Sequence, residues 1–223
     1  MKQIVKMRKG LKGKGFKEDP AVRERILEVS RELFLKFGFS KVSMDELAEK
    51  LGMSKKTIYH YFPSKKMLID EMVNQMLTRV GMGVEGIVND RKIAFIEKPM
   101  RLLEFIGRQI AMIGQDFILD LRKSVPDVWK RIDEFRREKI LLNFRKLYQE
   151  GVKRGVFRSD VNQEFLVRMY ANTIQSTLNP DVFSELPVSP GEAFTSVLKV
   201  FFEGILTDKA RVRISRAMTI PKK

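Results

Sequence analysis

The chain has 223 residues and a formal charge of +15, from 43 Lys and Arg against 28 Asp and Glu. It can therefore bury a sizeable core in one large or two modest domains, and its charge calls for a polyanionic partner. It has no cysteine and one histidine, His60, which excludes disulfides and thiolate metal sites and argues against a histidine-cluster metal site or a Ser/His/Asp triad.

The first 17 residues, MKQIVKMRKGLKGKGFK, carry seven cations and no carboxylate, about +7 of the total. With Gly10, Gly13 and Gly15 and no apolar periodicity, residues 1–17 are expected to form a flexible basic arm. No apolar stretch of signal-peptide length follows the charges, and no run of about 18 uncharged apolar residues occurs anywhere, so a soluble, cytoplasmic protein is expected.

Almost every later segment reads at helical period, with no alternating strand pattern and no hairpin signal. The first helix starts near Pro20, presents Ile26, Val29, Leu33, Phe34 and Phe37, and stops at Gly38. Ser43 and Glu46 then form a capping box for a two-turn helix that ends at Gly52, with Val42 and Leu47 as its hydrophobic staple. A third helix runs from its N-cap Ser54 to Phe62 and is closed by Pro63. Ser64 caps a longer helix with Leu68, Ile69, Met72, Val73, Met76, Val80 and Val84 on one face, its far end weakened by Gly81, Gly83 and Gly86. Further helices are expected near 99–122, 126–154, 161–178 and 190–208, punctuated by Pro99, Pro126, Pro180, Pro187 and Pro190.

Two short helices joined by a tight turn at Gly52, Met53 and Ser54 match a helix-turn-helix, whose second helix enters the DNA major groove. Its lysines sharpen that reading. Lys55 and Lys56 stand in the first turn of the second helix, where the helix dipole disfavours cations by roughly 0.3 to 1 kcal/mol each. A phosphate backbone reverses the sign of that environment. Lys55 with Tyr59 and Lys56 with His60 are i, i+4 pairs on the outer face, whereas Ile58 and Phe62 form the inner pair. From Lys50 to Lys66 there are five lysines and no carboxylate.

The run from Ile26 to Leu68, ILEVSRELFLKFGFSKVSMDELAEKLGMSKKTIYHYFPSKKML, resembles the DNA-binding domain of the tetracycline-repressor (TetR) family, above all in TIYHYFPSKKML. The resemblance implies an all-α protein with a three-helix helix-turn-helix domain at 18–65, a larger helical ligand-binding and dimerisation domain at 66–210, and a basic tail at 211–223. It implies phosphate contacts for Ser43, Thr57 and Tyr59, with Ser54 at the cap. Lys55, Lys56, His60 and Tyr61 would approach bases or backbone, and Lys65 would clamp a phosphate from the start of the long helix. For Tyr61 the residue pattern equally allows burial beneath the motif.

Beyond residue 89 the resemblance is one of architecture. In the last helix Phe194, Val197, Leu198, Phe201, Phe202, Ile205 and Leu206 cover more than one stripe, more than a single core is expected to bury. Together with Phe165, Leu166, Met169, Ile174 and Leu178 of the preceding helix they suggest a homodimer through Phe165–Leu178 and Phe194–Leu206, with Gly204 at a close crossing. A family-like cavity would use Phe105, Gln109, Met112, Trp129, Phe144, Tyr148, Tyr170 and Thr173. Gln115, Asn143, Asn172 and Gln175 are further polar points among apolar helices.

GMGVEG at 81–86 matches the glycine pattern of a dinucleotide-binding turn but follows a helical pattern rather than a strand. It suits a loosened joint between the two parts better than an enzyme. The expected function is a dimeric regulator, a repressor that leaves a palindromic operator when a mostly apolar small molecule binds, with no cofactor, metal or membrane partner. The alternative is a ligand-independent structural DNA-binding protein, nucleoid- or division-associated, and a core without a cavity would favour it.

Overall fold

The computed structural model describes residues 18–177 and 188–219. The basic arm, Leu178, Pro180, Pro187 and residues 220–223 lie outside the described residues. Within them the chain forms α1 (Pro20–Phe37), α2 (Met44–Leu51), α3 (Lys55–Tyr61), α4 (Lys65–Asn89), α5 (Lys98–Ala111), α6 (Gln115–Ser124), α7 (Pro126–Lys153), α8 (Gln163–Thr177), α9 (Pro190–Ile205) and α10 (Asp208–Thr219). Among the described residues there is no strand, only an isolated antiparallel bridge between Phe157 and Leu206. No described helix is long and apolar enough to cross a membrane.

Helix boundaries follow local chemistry. Asp19 caps α1 through its carboxylate, which accepts the Ala21 N–H at 2.8 Å. The Ser43 hydroxyl accepts the Glu46 N–H at 3.1 Å and the Glu46 carboxylate accepts the Ser43 N–H at 2.6 Å, a complete capping box. Ser189 and Glu192 repeat that device at the start of α9. Gly52, at φ +63°, supplies the left-handed residue that ends α2 without a steric penalty.

Two hydrophobic cores result. The first gathers Ile26, Leu27 and Phe34 of α1, Leu47 and Leu51 of α2, Ile58 of α3 and Leu68, Ile69 and Met72 of α4. Each fully buried side chain of this kind contributes roughly 1.5 to 3 kcal/mol. This core does not close at residue 65, the expected domain boundary, because Phe117 and Leu121 of α6 and Val125 and Val128 complete it. The second core is built on α5, α7, α8 and α9, and Val84, Ile87 and Val88 of α4 pack against it.

Four expectations are corrected. The helix expected over 99–122 is broken between Ala111 and Gln115, because the Gly114 N–H donates to the Leu35 carbonyl at 3.0 Å and ties the start of α6 to α1. A Cβ at Gly114 would lie 2.7 Å from that carbonyl oxygen. The helix expected over 190–208 ends at Ile205, and residues 211–219 of the expected tail belong to α10. The glycines of GMGVEG lie inside an uninterrupted α4 and create no joint: Gly81 receives the Phe135 ring, and a Cβ on Gly83 would overlap the Phe105 ring. Phe194, Leu198, Phe201, Phe202, Ile205 and Leu206 are all buried within their own domain, so one core does bury both stripes.

The contrast between Gly114 and Gly86, whose added Cβ would meet nothing within 4 Å, yields a prediction of opposite sign. Chemical denaturation should show Gly114→Ala destabilising the protein by about 1 to 3 kcal/mol, since a backbone atom must shift. Gly86→Ala should stabilise it by about 0.5 to 1 kcal/mol.

Candidate nucleic-acid interface and effector cavity

The second helix of the helix-turn-helix is short, and its orientation is set by what it buries. In α3, Ile58 is fully buried, and Tyr61 and the following Phe62 turn inward with it, while Lys55, Lys56, Tyr59 and His60 are exposed and Thr57 is half-buried. The Ser54 hydroxyl accepts the Thr57 N–H at 3.0 Å and shares a 2.8 Å hydrogen bond with the Thr57 hydroxyl. The cap and turn hold the first turn of α3 at the surface, with Lys55 and Lys56 beside its exposed amides.

Tyr61 is the exception. It is 6% exposed, and its hydroxyl accepts the Asp19 N–H at 3.2 Å, so it anchors the start of α1 rather than facing outward. Of the two readings its position in the sequence allowed, burial beneath the motif is the one observed.

The cations of this face are not equivalent. The Lys55 ammonium pairs with Asp45 at 2.9 Å, and that hydrogen bond raises its pKa above the usual lysine value. Lys56 makes no hydrogen bond or ion pair among the described residues. Lys65 is half-buried, with its ammonium 4.4 Å from the Phe39 ring centroid and 5.6 Å from that of Phe34. Burial pushes its pKa down, opposed by Asp120 and Glu46. Lys65 in turn helps to hold the Glu46 carboxyl below its usual range, after the hydrogen bonds from Ser43. Lys66, next in sequence, points elsewhere, pairing with Asp127 at 2.5 Å and Asp70 at 3.6 Å and so joining the starts of α4 and α7.

Behind this face lies a partly open cavity of about 440 Å³ with mostly apolar walls. Leu35 of α1, Val73 and Leu77 of α4, Phe117 and Ile118 of α6 and Phe135 of α7 contribute to it. Gln109, Met112, Trp129, Phe144 and Tyr170 line it as expected from sequence, as does Asn143, whose amide donates to the Lys139 carbonyl at 2.9 Å. Phe144 and Tyr170 stack at 4.3 Å, and burial pushes the Tyr170 phenol far up.

Three expected lining residues are elsewhere. Phe105 fills the space left by Gly83. The Tyr148 hydroxyl donates to the Arg158 carbonyl at 2.8 Å within the second core. The Thr173 hydroxyl donates to the Met169 carbonyl one turn back at 2.8 Å. Asn172 and Gln175 line a separate surface cleft between α7 and α8. Arg31 and Arg136 in the cavity wall went unnoticed in the sequence, where both sit in ordinary charged helix segments. A larger depression of about 1520 Å³ between α5 and α9 is open to solvent and edged by charged residues, and so is less suited to an apolar molecule.

The α6 helix connects the cavity and the helix-turn-helix. Phe117, Ile118 and Leu121 face the cavity, while Asp116 pairs with Lys41 at 2.5 Å and Asp120 accepts the Ser40 N–H at 2.7 Å. Those partners belong to the loop that leads into the Ser43 cap. Among the described residues no group of three or more His, Asp and Glu side chains is placed to hold a metal.

Residues 26–72 match the family model described as "Bacterial regulatory proteins, tetR family". The chain is 26% identical over 186 residues to YvaF of Bacillus subtilis, an uncharacterized HTH-type transcriptional regulator, covering 83% of this chain and 96% of that one. It is 26% identical over 115 residues to the HTH-type transcriptional regulator RutR of Escherichia coli, covering 51% of this chain and 54% of the relative. Its fold resembles the crystal structure of a TetR/AcrR-family regulator from Thermobifida fusca, with a TM-score of 0.59 and 24% identity over 82% of this chain and 97% of that one. These relatives are transcriptional regulators rather than enzymes. With the capped helix-turn-helix at its N-terminal end and a helical body behind it, the chain carries a TetR-type DNA-binding region at residues 26–72 and is similar along most of its length to transcriptional regulators with that region.

Proposed function

We propose that the protein acts in the cytoplasm as a dimeric repressor that binds a two-fold symmetric operator and releases it when a small molecule fills the cavity. The observation that carries this reading is the double attachment of α6: one face lines the cavity and the other holds the loop before α2 through Asp116 and Asp120. An occupant that displaces α6 must move that loop, the Ser43 cap and, through Leu68 to Val73, the start of α4. Moving two recognition helices out of the spacing of successive major grooves lowers operator affinity in proportion to the ligand's preference for the shifted state.

Ser43, Ser54, Thr57 and Tyr59 are assigned to phosphates, Lys55, Lys56 and His60 to the groove, and Lys65 to the flanking phosphate. The exposure of Ser43, Ser54, Lys55, Lys56, Tyr59 and His60 supports these roles, as does the position of Lys65 at the start of α4 with its ammonium against the Phe39 ring. Dimerisation is assigned to the outer faces of α8 and α9. Phe165 is 61% exposed and Val200 is 71% exposed, and a Cβ on Gly204 would meet nothing, leaving room for a close helix crossing. The cavity favours this function over a ligand-independent structural role.

Two binding measurements check the reading. Lys55→Ala and Lys56→Ala should each weaken specific binding about tenfold or more, whereas Lys65→Ala should weaken binding to all sequences and flatten its salt dependence. Lys92→Ala, remote from this face, should leave both unchanged; parent-like behaviour of all four variants contradicts the assignment. The coupling is tested without a ligand. Ile118→Trp, which crowds the cavity from α6, should lower DNA affinity by about five- to a hundredfold. Adding Asp116→Ala and Asp120→Ala together, which cuts the links to Lys41 and Ser40, should restore it; a triple variant as weak as the single one contradicts coupling through these α6 carboxylates.

A further inference from the structure

A second feature of the cavity is its charge. Arg136 of α7 lines the cavity with its side chain only 18% exposed. Its guanidinium lies against Trp129, 5.0 Å from the ring centroid. Among the described residues its only ion pair is with Asp133, one turn earlier, at 3.4 Å from Nη2 and without hydrogen-bond geometry. Nη1 is buried with no partner, and among the described residues Arg136 makes no hydrogen bond. Burial is the main influence on the group and lowers its pKa.

A buried guanidinium without acceptors is costly, because it loses hydration at several N–H groups and regains little. The other cations near the cavity are differently placed. Arg31, whose Nε is also buried without a partner, donates to Gln75 at 3.0 Å through Nη2, whereas Arg136 makes no hydrogen bond among the described residues; Lys139 pairs with Glu85 at 2.6 Å, and Arg79 is exposed. The segment from Lys130 to Lys139 holds five cations against three carboxylates, so the local field favours an added negative charge. Apolar walls offer a water few partners beside Arg136. A planar anion entering with an apolar body would satisfy the fork of the guanidinium, and a carboxylate matches it in geometry.

We infer that the effector is an amphipathic organic carboxylate, its apolar body in the cavity and its carboxylate held by Arg136. This rests on the reading of the cavity as the effector site. Arg136 then fixes which end of the ligand is buried and disfavours otherwise similar neutral and cationic molecules, since neither matches the charge and the two donors of the guanidinium.

Trp129, the only tryptophan of the chain, lies in the cavity wall beneath Arg136 and reports occupancy directly. Its fluorescence in the full-length protein is titrated at neutral pH with dodecanoate, dodecanol and dodecyltrimethylammonium, each below its micelle concentration. The parent should bind dodecanoate about tenfold or more tightly than dodecanol, with the cation weakest. In Arg136→Met the carboxylate and the alcohol should bind alike, with alcohol binding retained as proof of a folded cavity. Equal binding of the carboxylate and the alcohol by the parent, or an undiminished carboxylate preference in Arg136→Met, would overturn the role of Arg136 and leave the cavity as an effector site. If none of the three amphiphiles binds the parent, the anchor fails and so does the cavity as a site for such molecules.

Discussion

One uninterrupted helix belongs to two cores, and the rest of the structure depends on that constraint. The buried residues Leu68, Ile69, Met72 and Val73 at the start of α4 are shared with the helix-turn-helix, and Val84, Ile87 and Val88 near its end with the helical body. A helix without a break transmits displacement as a rigid element, because bending it would cost backbone hydrogen bonds. Gly81 and Gly83 do not relax this constraint. They let Phe135 and Phe105 approach the helix closely, so the glycine-rich segment tightens the contact between α4 and its neighbours. The cavity opens along the middle of this helix, beside Val73, Leu77 and Gly81, where a change in packing bears on both cores.

The lysines of the N-terminal domain divide by the same logic. Two adjacent pairs, Lys55–Lys56 and Lys65–Lys66, look alike in sequence. In the fold, Lys55 and Lys56 both point outward, with Lys55 resting on Asp45. Lys65 lies across the Phe39 ring, and Lys66 turns back to Asp127. Only one member of the second pair can therefore address a phosphate without breaking the bridge to α7. That division gives the helix-turn-helix a link to the body separate from α6, through the start of α7.

What could be read from the sequence was set by local chemistry. The capping box of Ser43 and Glu46, the left-handed Gly52, the Ser54 cap and the outward and inward faces of α3 all depend on residues within a few positions of one another. Five of the eight proposed cavity residues line the cavity, because aromatic and polar residues at helical spacing mark the inner faces of α5, α7 and α8. Features that depend on contacts between distant segments were not legible. The break before α6 exists because Gly114 meets Leu35, 79 positions earlier. The burial of both stripes of α9 depends on how α5, α7 and α8 close around it, and the orphaned Nη1 of Arg136 on which acceptors the fold leaves nearby. Tyr61 was ambiguous because its partner, the Asp19 amide, lies 42 residues away.

The most direct test of the central claim, a two-fold DNA-binding regulator reading through α3, is selection of bound fragments from a random DNA library by the full-length protein, followed by sequencing. The expected result is an inverted repeat whose half-sites present successive major grooves on one face of the duplex. Enrichment of a single unrepeated motif, or of no sequence above background, would contradict it.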